Sequence, residues 1–467
     1  MRRKISEYCS FVVLALVSVL VTVCACVYMQ FGRVDLMQVV FHLHFADIDK
    51  IATDILVFFV LFLSILFFLA FYFRRFFSLT FSFLSMLAAI GLCFVQFNMM
   101  DIVRYYTSYS SVYEKHYVCA SEIEYHVPQK LKNIVFIRLE SMESTFENTA
   151  LFSENLIPEI TKLKSESVVF NGYKEMPGTA FTAGAVGASM LGVPLSFLPS
   201  FNANCLFFND YHHIISMFSG IRGGGDIFKE NGYKMVAMKA ASSKFAGIGE
   251  FFKSHGFDEI LDQDVLGNGD IPIQDIVNVW GISDYDLFEY AKVQLEKLSQ
   301  GNKPFLLDIT TVNTHAPIGY ESKFCEVKDN DIRDQIRCAS KMTGDFVAWL
   351  KKQPFYKETI IIVAGDHLMM KSGISNMMKG ADREILFFVL NSGKEKGTVE
   401  RKYTAMDMAP TILEMAGFDI KSDKMGLGVS LLSSEKTLLE IMPSEELERE
   451  LLMRSKKFLS LLEEKRL

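Results

Sequence analysis

Residues 359–367 read TIIIVAGDH, an apolar run that stops at Asp366 and His367. Residues 133–140 read NIVFIRLE, a second short apolar run that stops at Glu140. Continuous apolar runs of this length are the pattern of strands buried on both faces of a parallel sheet. In open α/β sheets, ligands bind beyond the carboxyl ends of such strands. A carboxylate at one strand end and an Asp-His pair at another offer the oxygen and nitrogen donors that a divalent metal takes. Gly365 lets the chain turn sharply just before the pair.

From residue 133 onward, further strand-like runs lie at Met235–Met238, Phe305–Thr310 and Ile385–Leu390. Helical patterns fall between them, at about 155–165, 183–191, 224–231, 284–299, 331–351 and 405–416. This alternation predicts an α/β domain with a mostly parallel central sheet flanked by helices. Residues 131–435 form that domain in this reading. Residues 101–130 are a polar and aromatic linker near the membrane, and 436–467 form one amphipathic C-terminal helix.

The first hundred residues are different. Half of the 467 residues are apolar and the mean hydropathy is +0.21, with the excess concentrated at the start. Three stretches, about Phe11–Met29, Ile55–Phe73 and Phe76–Met99, approach the ~20 residues that cross a bilayer as a helix. A cleaved signal peptide would need a small-residue cleavage site, and no clear one follows the first stretch. Residues 1–100 are therefore expected to carry three transmembrane helices. Arg2, Arg3 and Lys4 precede the first, Arg33 and Lys50 lie in the first loop, and Arg74 and Arg75 turn between the second and third. The balance favours an inside N-terminus, which places the large domain outside the cytoplasm. With a net charge of −7 and no basic cluster alternating with aromatics, nothing points to a nucleic-acid partner. In an oxidising compartment Cys325 and Cys338 can bridge around the charged loop 326–337, and free thiols are equally open.

Other residues carry chemical promise. The segment PGTAFTAGAVGASM, residues 177–190, reads as a closely packing helix that starts at Thr182. Free N–H groups at a helix start favour an anion such as phosphate. A metal beside the Thr182 hydroxyl would lower its pKa and make it a nucleophile; a plain N-cap is the competing reading. His315, in TTVNTHAP (residues 310–317), is placed to bind substrate or to give a proton to a leaving oxygen. Trp280 precedes a helix and either packs or touches substrate. Glu143 and Glu147 read as acids at a helix start.

Together these segments resemble the alkaline phosphatase superfamily in its sulfatase-like branch. They are most similar to membrane phosphoglycerol transferases of the lipoteichoic acid synthase and periplasmic-glucan types. The resemblance rests on NIVFIRLESMES (133–144), GTAFTAGAVGASMLGVP (178–194), FAGIGEFFKSHGFD (245–258), WGISD (280–284), TVNTHAP (311–317), GDHL (365–368) and MDMAPTILEMAG (406–417). It implies that Glu140, Thr182, Asp366 and His367 bind the metal and that Thr182 is the nucleophile, with Thr179 as the fallback. It implies a manganese ion, or else magnesium or zinc, and His315, Trp280 and Lys244 as substrate-binding residues. The implied reaction moves phosphoglycerol from phosphatidylglycerol to a cell-envelope glycan or polymer through a threonine-linked intermediate. The implied setting is the bacterial cytoplasmic membrane. The C/S-x-P-x-R motif of true sulfatases is absent. Relatives often hold a basic residue near the position of Ile248; this chain has isoleucine there, and both readings of Lys244, as a substitute and as an unrelated surface residue, stay open. A phosphoethanolamine transferase acting on lipid A or a surface glycan is the alternative. A non-catalytic, glycan-binding membrane protein is a third reading.

Overall fold

The computed structural model describes residues 2–31, 53–73, 78–195, 218, 220–268, 272–275 and 280–463. Arg33, Lys50, Arg74, Arg75 and Cys205 lie outside the described residues. The chain divides into two compact units, Met1–Thr107 and Ser108–Leu467.

The first unit is helical. Its helices are Arg2–Phe31, Thr53–Phe73, Leu79–Gln96 and Met99–Thr107. The first packs against the second and third. Helices satisfy every backbone N–H and C=O internally, so long apolar stretches adopt them wherever water is excluded. The few polar side chains follow the same rule: Ser18 and Thr22 donate to the carbonyls of Leu14 and Ser18, one turn back (2.8 and 2.7 Å). Among the described residues, Lys4–Met29 and Leu79–Gln96 are long and apolar enough to cross a membrane, and Phe59–Phe73 is a shorter apolar stretch. Phe68, Phe83 and Leu84 are exposed, an apolar surface of the kind that lipid or another chain covers. The stretch read as Phe76–Met99 ends earlier. Asn98 turns the chain at φ 46°, and the short helix from Met99 begins there.

The second unit is built on eight strands: β1 Asn133–Leu139, β2 Val168–Tyr173, β3 Lys234–Lys239, β4 Glu259–Leu261, β5 Phe305–Thr310, β6 Thr359–Gly365, β7 Phe387–Leu390 and β8 Gly397–Tyr403. Their order across the sheet is β4-β3-β5-β1-β6-β7-β2-β8. All pairs are parallel except the two made by β7, which runs against β6 and β2. The sheet is thus the mostly parallel one expected, flanked by helices. The central strands β1, β5 and β6 are buried along almost their whole length, which is why apolar residues predominate in them, with Arg138 and Asp308 as a buried charged pair.

Three strands escaped the sequence reading. β2 has only three apolar residues before Asn171 and Gly172, where its pairing with β8 shifts register. β4 is three residues long. β8 reads GTVERKY because it lies at the sheet edge with mostly exposed side chains.

Odd positions of β1 (Val135, Ile137, Leu139) join a core with the helices Pro158–Lys164, Asp284–Ser299 and Ile332–Leu350. Even positions face the opposite side. There Arg138 donates from Nε to both Asp308 oxygens on β5 (2.9 and 3.1 Å) and from Nη1 to Ser189 of the helix Thr182–Leu191 (2.7 Å). The helix Ala405–Met415 packs beside Thr182–Leu191. Cys325 and Cys338 form a disulfide that ties the loop before Ile332–Leu350 to that helix.

The C-terminal stretch is not one helix. Ser444–Leu452 and Lys456–Glu463 are separated by an extended Met453. Ser455 caps the second by accepting from the Phe458 N–H (3.0 Å). Phe458 stacks on Tyr113 at 4.6 Å, so the pair folds back onto the segment that opens this unit.

The Arg138–Asp308 pair is nearly inaccessible to water (side chains 3% and 2% exposed). Removing one partner leaves a buried charge uncompensated, which costs about 3–5 kcal/mol, whereas replacing both with apolar groups costs less. In thermal melts of the detergent-solubilised chain, Arg138→Met is therefore expected to lower the melting temperature more than the Arg138→Met/Asp308→Leu double variant does.

Candidate metal centre and active site

Glu140 is the first residue past β1, and Asp366 and His367 are the first two past β6. The register of these parallel neighbours sets Leu139 beside Gly365, so both strands end at the same level. The backbones then nearly touch. A Cβ on Gly365 would lie 1.9 Å from the Met142 carbonyl oxygen, so only glycine fits. The Asp366 N–H donates to the Leu139 carbonyl (3.1 Å), and the Ser141 N–H donates to Asp366 Oδ1 (2.8 Å). Ser141 sits at φ 52°, a left-handed conformation that is costly for serine. There its hydroxyl donates to Glu140 Oε1 (2.7 Å).

The result is a compact, buried donor set. One ligand atom each from Glu140, Asp366 and His367 lies within 4.8 Å of the others. His367 Nε2 is 3.4 Å from Glu140 Oε1 and 3.6 Å from Asp366 Oδ2. Its Nδ1 lies 2.9 Å from the Leu368 carbonyl oxygen. A carbonyl only accepts, so Nδ1 carries the proton and Nε2 is the nitrogen turned toward the carboxylates. Asp366 Oδ2 is buried with no hydrogen-bond partner. An orphaned buried oxygen is expensive, and a divalent cation among these atoms would satisfy it. Two carboxylates and an imidazole, without a thiolate, suit manganese, magnesium or zinc.

Thr182 completes the group. It is the first residue of the helix Thr182–Leu191, and its Oγ1 donates to Glu140 Oε2 (3.2 Å). The small residues after it are required by packing: a Cβ on Gly184 would lie 2.4 Å from the Gly178 carbonyl oxygen. Thr179 is fully buried, with its hydroxyl donating to the Met176 carbonyl (2.8 Å) and accepting from the Met176 N–H (3.2 Å). It is occupied elsewhere.

His315 and Trp280 come together as a stacked pair, with ring centroids 4.4 Å apart. His315 is close enough to Glu140 to act on its charge. Burial pushes the Glu140 carboxyl up, but His315 and His367 outweigh it and hold the group below its ordinary value. Burial raises Asp366, and Glu140 adds to the rise. Burial lowers His367, yet Asp366, Glu140 and Glu175 overcome this and raise the imidazole to about 9. Lys244 is not drawn in. Its side chain is 86% exposed and pairs with Asp264 at 3.2 Å, because the turn at 242–247 holds it on the surface.

Several residues were invisible to the sequence reading. Lys239, at the end of β3, is buried. Burial lowers its ammonium to about 8, against the opposing pull of Asp308, Glu140, Asp366 and Asp262. Glu175 accepts from the Leu368 N–H (2.7 Å), and burial raises its pKa. Glu143 does not serve a helix start. It accepts from the Met369 N–H (2.9 Å) and pairs with Arg383, clamping the loop after His367. Glu147 pairs with Lys164 (2.8 Å). A lone Lys or Glu in a mixed segment gives no sequence signal, and only the fold brings Lys239 and Glu175 to the site.

Comparison with known proteins agrees with this architecture. The Sulfatase family profile matches residues 132–418. The chain belongs to the sulfatase family. It is similar to phosphoglycerol transferase I of Escherichia fergusonii, with 32% identity over 317 residues, covering 66% of this chain and 40% of that protein. The chain thus spans well under half the length of the curated relatives it matches. In fold it is similar to an alkaline phosphatase superfamily protein from Vibrio parahaemolyticus (TM-score 0.52, 23% identity, 68% of this chain and 74% of that one). It is also similar in fold to the lipoteichoic acid synthase LtaP of Listeria monocytogenes (TM-score 0.52, 18% identity, 67% and 79%).

A divalent metal held by these residues would have to displace the proton from His367, whose imidazole is raised to about 9. Affinity is therefore expected to rise by about tenfold per pH unit up to that range. Calorimetric manganese titrations of the chelator-treated chain at several pH values would read this. Glu140→Gln and Asp366→Asn should abolish the heat of binding, and wild-type affinity independent of pH would contradict the assignment.

Proposed function

We propose that the chain is a metal-dependent phosphotransferase that moves phosphoglycerol from phosphatidylglycerol to a hydroxyl of a cell-envelope glycan or polymer. The observation that carries this reading is the Thr182 hydroxyl at a helix start, 3.2 Å from Glu140 within a buried Glu140–Asp366–His367 donor set. A divalent ion held by Glu140, Asp366, His367 and Thr182 would lower the hydroxyl pKa and neutralise phosphoryl charge. Manganese is our choice among the ions that suit these donors.

In the first step Thr182 Oγ1 attacks phosphorus. The Oγ–P bond forms, the bond from phosphorus to the diacylglycerol oxygen breaks, and the hydroxyl proton ends on departing diacylglycerol. The free N–H groups of the helix Thr182–Leu191 stabilise charge on the phosphoryl oxygens. In the second step an acceptor hydroxyl attacks the threonine-linked phosphoglycerol, and Thr182 regains its proton. Water in place of the acceptor gives hydrolysis. His315, stacked on Trp280, holds the head group. Lys244 is no longer assigned a role.

The similarity to phosphoglycerol transferase I supports the glycerol head group over phosphoethanolamine. The apolar helices at Lys4–Met29 and Leu79–Gln96 support attachment to a bilayer, where the lipid donor resides. In our reading the chain is multi-pass in the bacterial cytoplasmic membrane. Residues 131–435 form its extracytoplasmic catalytic domain, 101–130 its membrane-proximal linker, and 436–467 a C-terminal helical tail.

The test uses membranes containing wild-type or Thr182→Ala protein, manganese, and phosphatidylglycerol labelled in the head-group glycerol. The expected result is metal-dependent release of diacylglycerol and label on the protein. Thr182→Ala should reduce both by at least a factor of about 10³, the scale of losing a nucleophile. Equal turnover by the variant would remove Thr182 from the scheme. Turnover of phosphatidylethanolamine instead would reassign the donor, and turnover of neither lipid would favour a non-catalytic, glycan-binding role.

A further inference from the structure

The helix Asp284–Ser299 packs against β5, the strand that runs into the loop carrying His315. An acid at a helix start ordinarily serves the free N–H groups of its own first turn. Ser283 already does this, accepting from the Asp286 N–H (3.3 Å). The Asp284 carboxylate, 1% exposed, turns to the neighbouring loop instead. Its Oδ1 accepts from the Val312 N–H (2.7 Å) and more weakly from the Asn313 N–H (3.3 Å), and its Oδ2 accepts from the same Asn313 N–H (3.2 Å). Asn313 Oδ1 returns the bond by accepting from the Asp284 N–H (3.1 Å). Helix start and loop are thus cross-linked in both directions.

Each end of this link reaches the site. Thr311 Oγ1 accepts from the Glu140 N–H (2.9 Å), and the Thr314 hydroxyl donates to the Glu140 carbonyl, so the loop grips the metal-ligand backbone on both sides. The His315 N–H donates to the Val312 carbonyl (3.0 Å), within the turn that Asp284 holds. On the other side, Trp280 lies four residues before Asp284. The segment between them is pinned to the end of β3: the Ile282 N–H donates to the Ala240 carbonyl (3.0 Å), and a Cβ on Gly281 would lie 1.9 Å from that same oxygen. The five residues Trp280 to Asp284 therefore provide both the plane on which His315 stacks and the hook that holds its loop against that plane.

We infer that Asp284 is a positioning residue for the phosphotransfer site: it fixes the Thr311–His315 loop so that the His315 ring stays stacked on Trp280 and turned toward the bound head group. Head-group recognition is then built from two chain segments locked to each other rather than from a histidine on a free loop. The inference rests on the function proposed above, so its test has an arm that does not depend on turnover.

The sequence holds two tryptophans, Trp280 and Trp349. In a full-length Trp349→Phe background, fluorescence reports Trp280 alone. Adding His315→Ala defines the emission of the unstacked indole. Adding Asp284→Asn, which keeps the size but loses one acceptor, is expected to move emission more than halfway to that endpoint. Asn313→Ala, which spares the buried carboxylate, should move it in the same direction. In the lipid assay, Asp284→Asn should raise KM on the order of tenfold with kcat within about threefold, because ground-state binding is what loosens. Emission and KM of both variants matching the parent would overturn the inference. If wild-type protein turns over no lipid, the functional reading fails, while the emission of the variants still decides whether Asp284 holds His315.

Discussion

Everything at this site depends on two parallel strands ending side by side. Residues Asn133–Leu139 and Thr359–Gly365 run in register to their last pair, and the next residues are Glu140 and Asp366. Their carboxylates and the His367 ring are buried within a few ångströms of one another. Such a concentration of charge is unfavourable in a low-dielectric interior unless something opposite in sign is added. His367 supplies part of it when protonated, which is why its pKa is raised. The unpartnered Asp366 Oδ2 shows that part remains unmet. The structure is arranged to receive a cation, and the fold holds the strain: Ser141 in a left-handed conformation and Gly365 where no side chain fits.

The rest of the domain delivers other groups to that point. One face of the sheet carries the apolar core under the helices Asp284–Ser299 and Ile332–Leu350. The opposite face carries Arg138, whose bonds to Asp308 and Ser189 tie two strands to the helix that begins with Thr182. A hydroxyl proposed as a nucleophile, as that of Thr182 is, must be placed to within a fraction of an ångström to be useful. Here it is fixed by glycine-mediated contact along the helix Thr182–Leu191. The loop after β5 grips Glu140 through Thr311 and Thr314 and brings His315 over from the side. The site is assembled from four chain segments, and each is held by bonds to another.

Membership of the sulfatase family fits this frame and does not by itself fix the substrate, because one fold hosts many chemistries. The specific content lies in side chains. The C/S-x-P-x-R motif of true sulfatases is absent, the hydroxyl beside Glu140 is that of a threonine, and Lys244, the basic residue nearest in sequence to Ile248, is exposed to solvent. Lys239 is instead buried and close enough to Glu140 and Asp366 to feel their charge.

The sequence by itself determined the central strands of the sheet and the candidate donor set at their ends. Strands such as Ile360–Ala364 are buried on both faces, so their whole composition is apolar and announces them, and Glu140, Asp366 and His367 stand out at the ends. The long apolar N-terminal stretches announced helices for the same reason. Edge strands did not announce themselves, since Gly397–Tyr403 meets solvent and carries polar residues. The C-terminal stretch kept a helical period through a break that depends on the Ser455 cap and on Phe458 packing on Tyr113. Only the tertiary structure decided that Lys244 stays outside while Lys239 and Glu175 come in, that Glu143 clamps Arg383, and that Asp284 holds the His315 loop. The physical reason is common to all of these. Periodicity reports how much of a segment is buried, whereas the partner of a single charged side chain is set by which strands and loops the fold brings together.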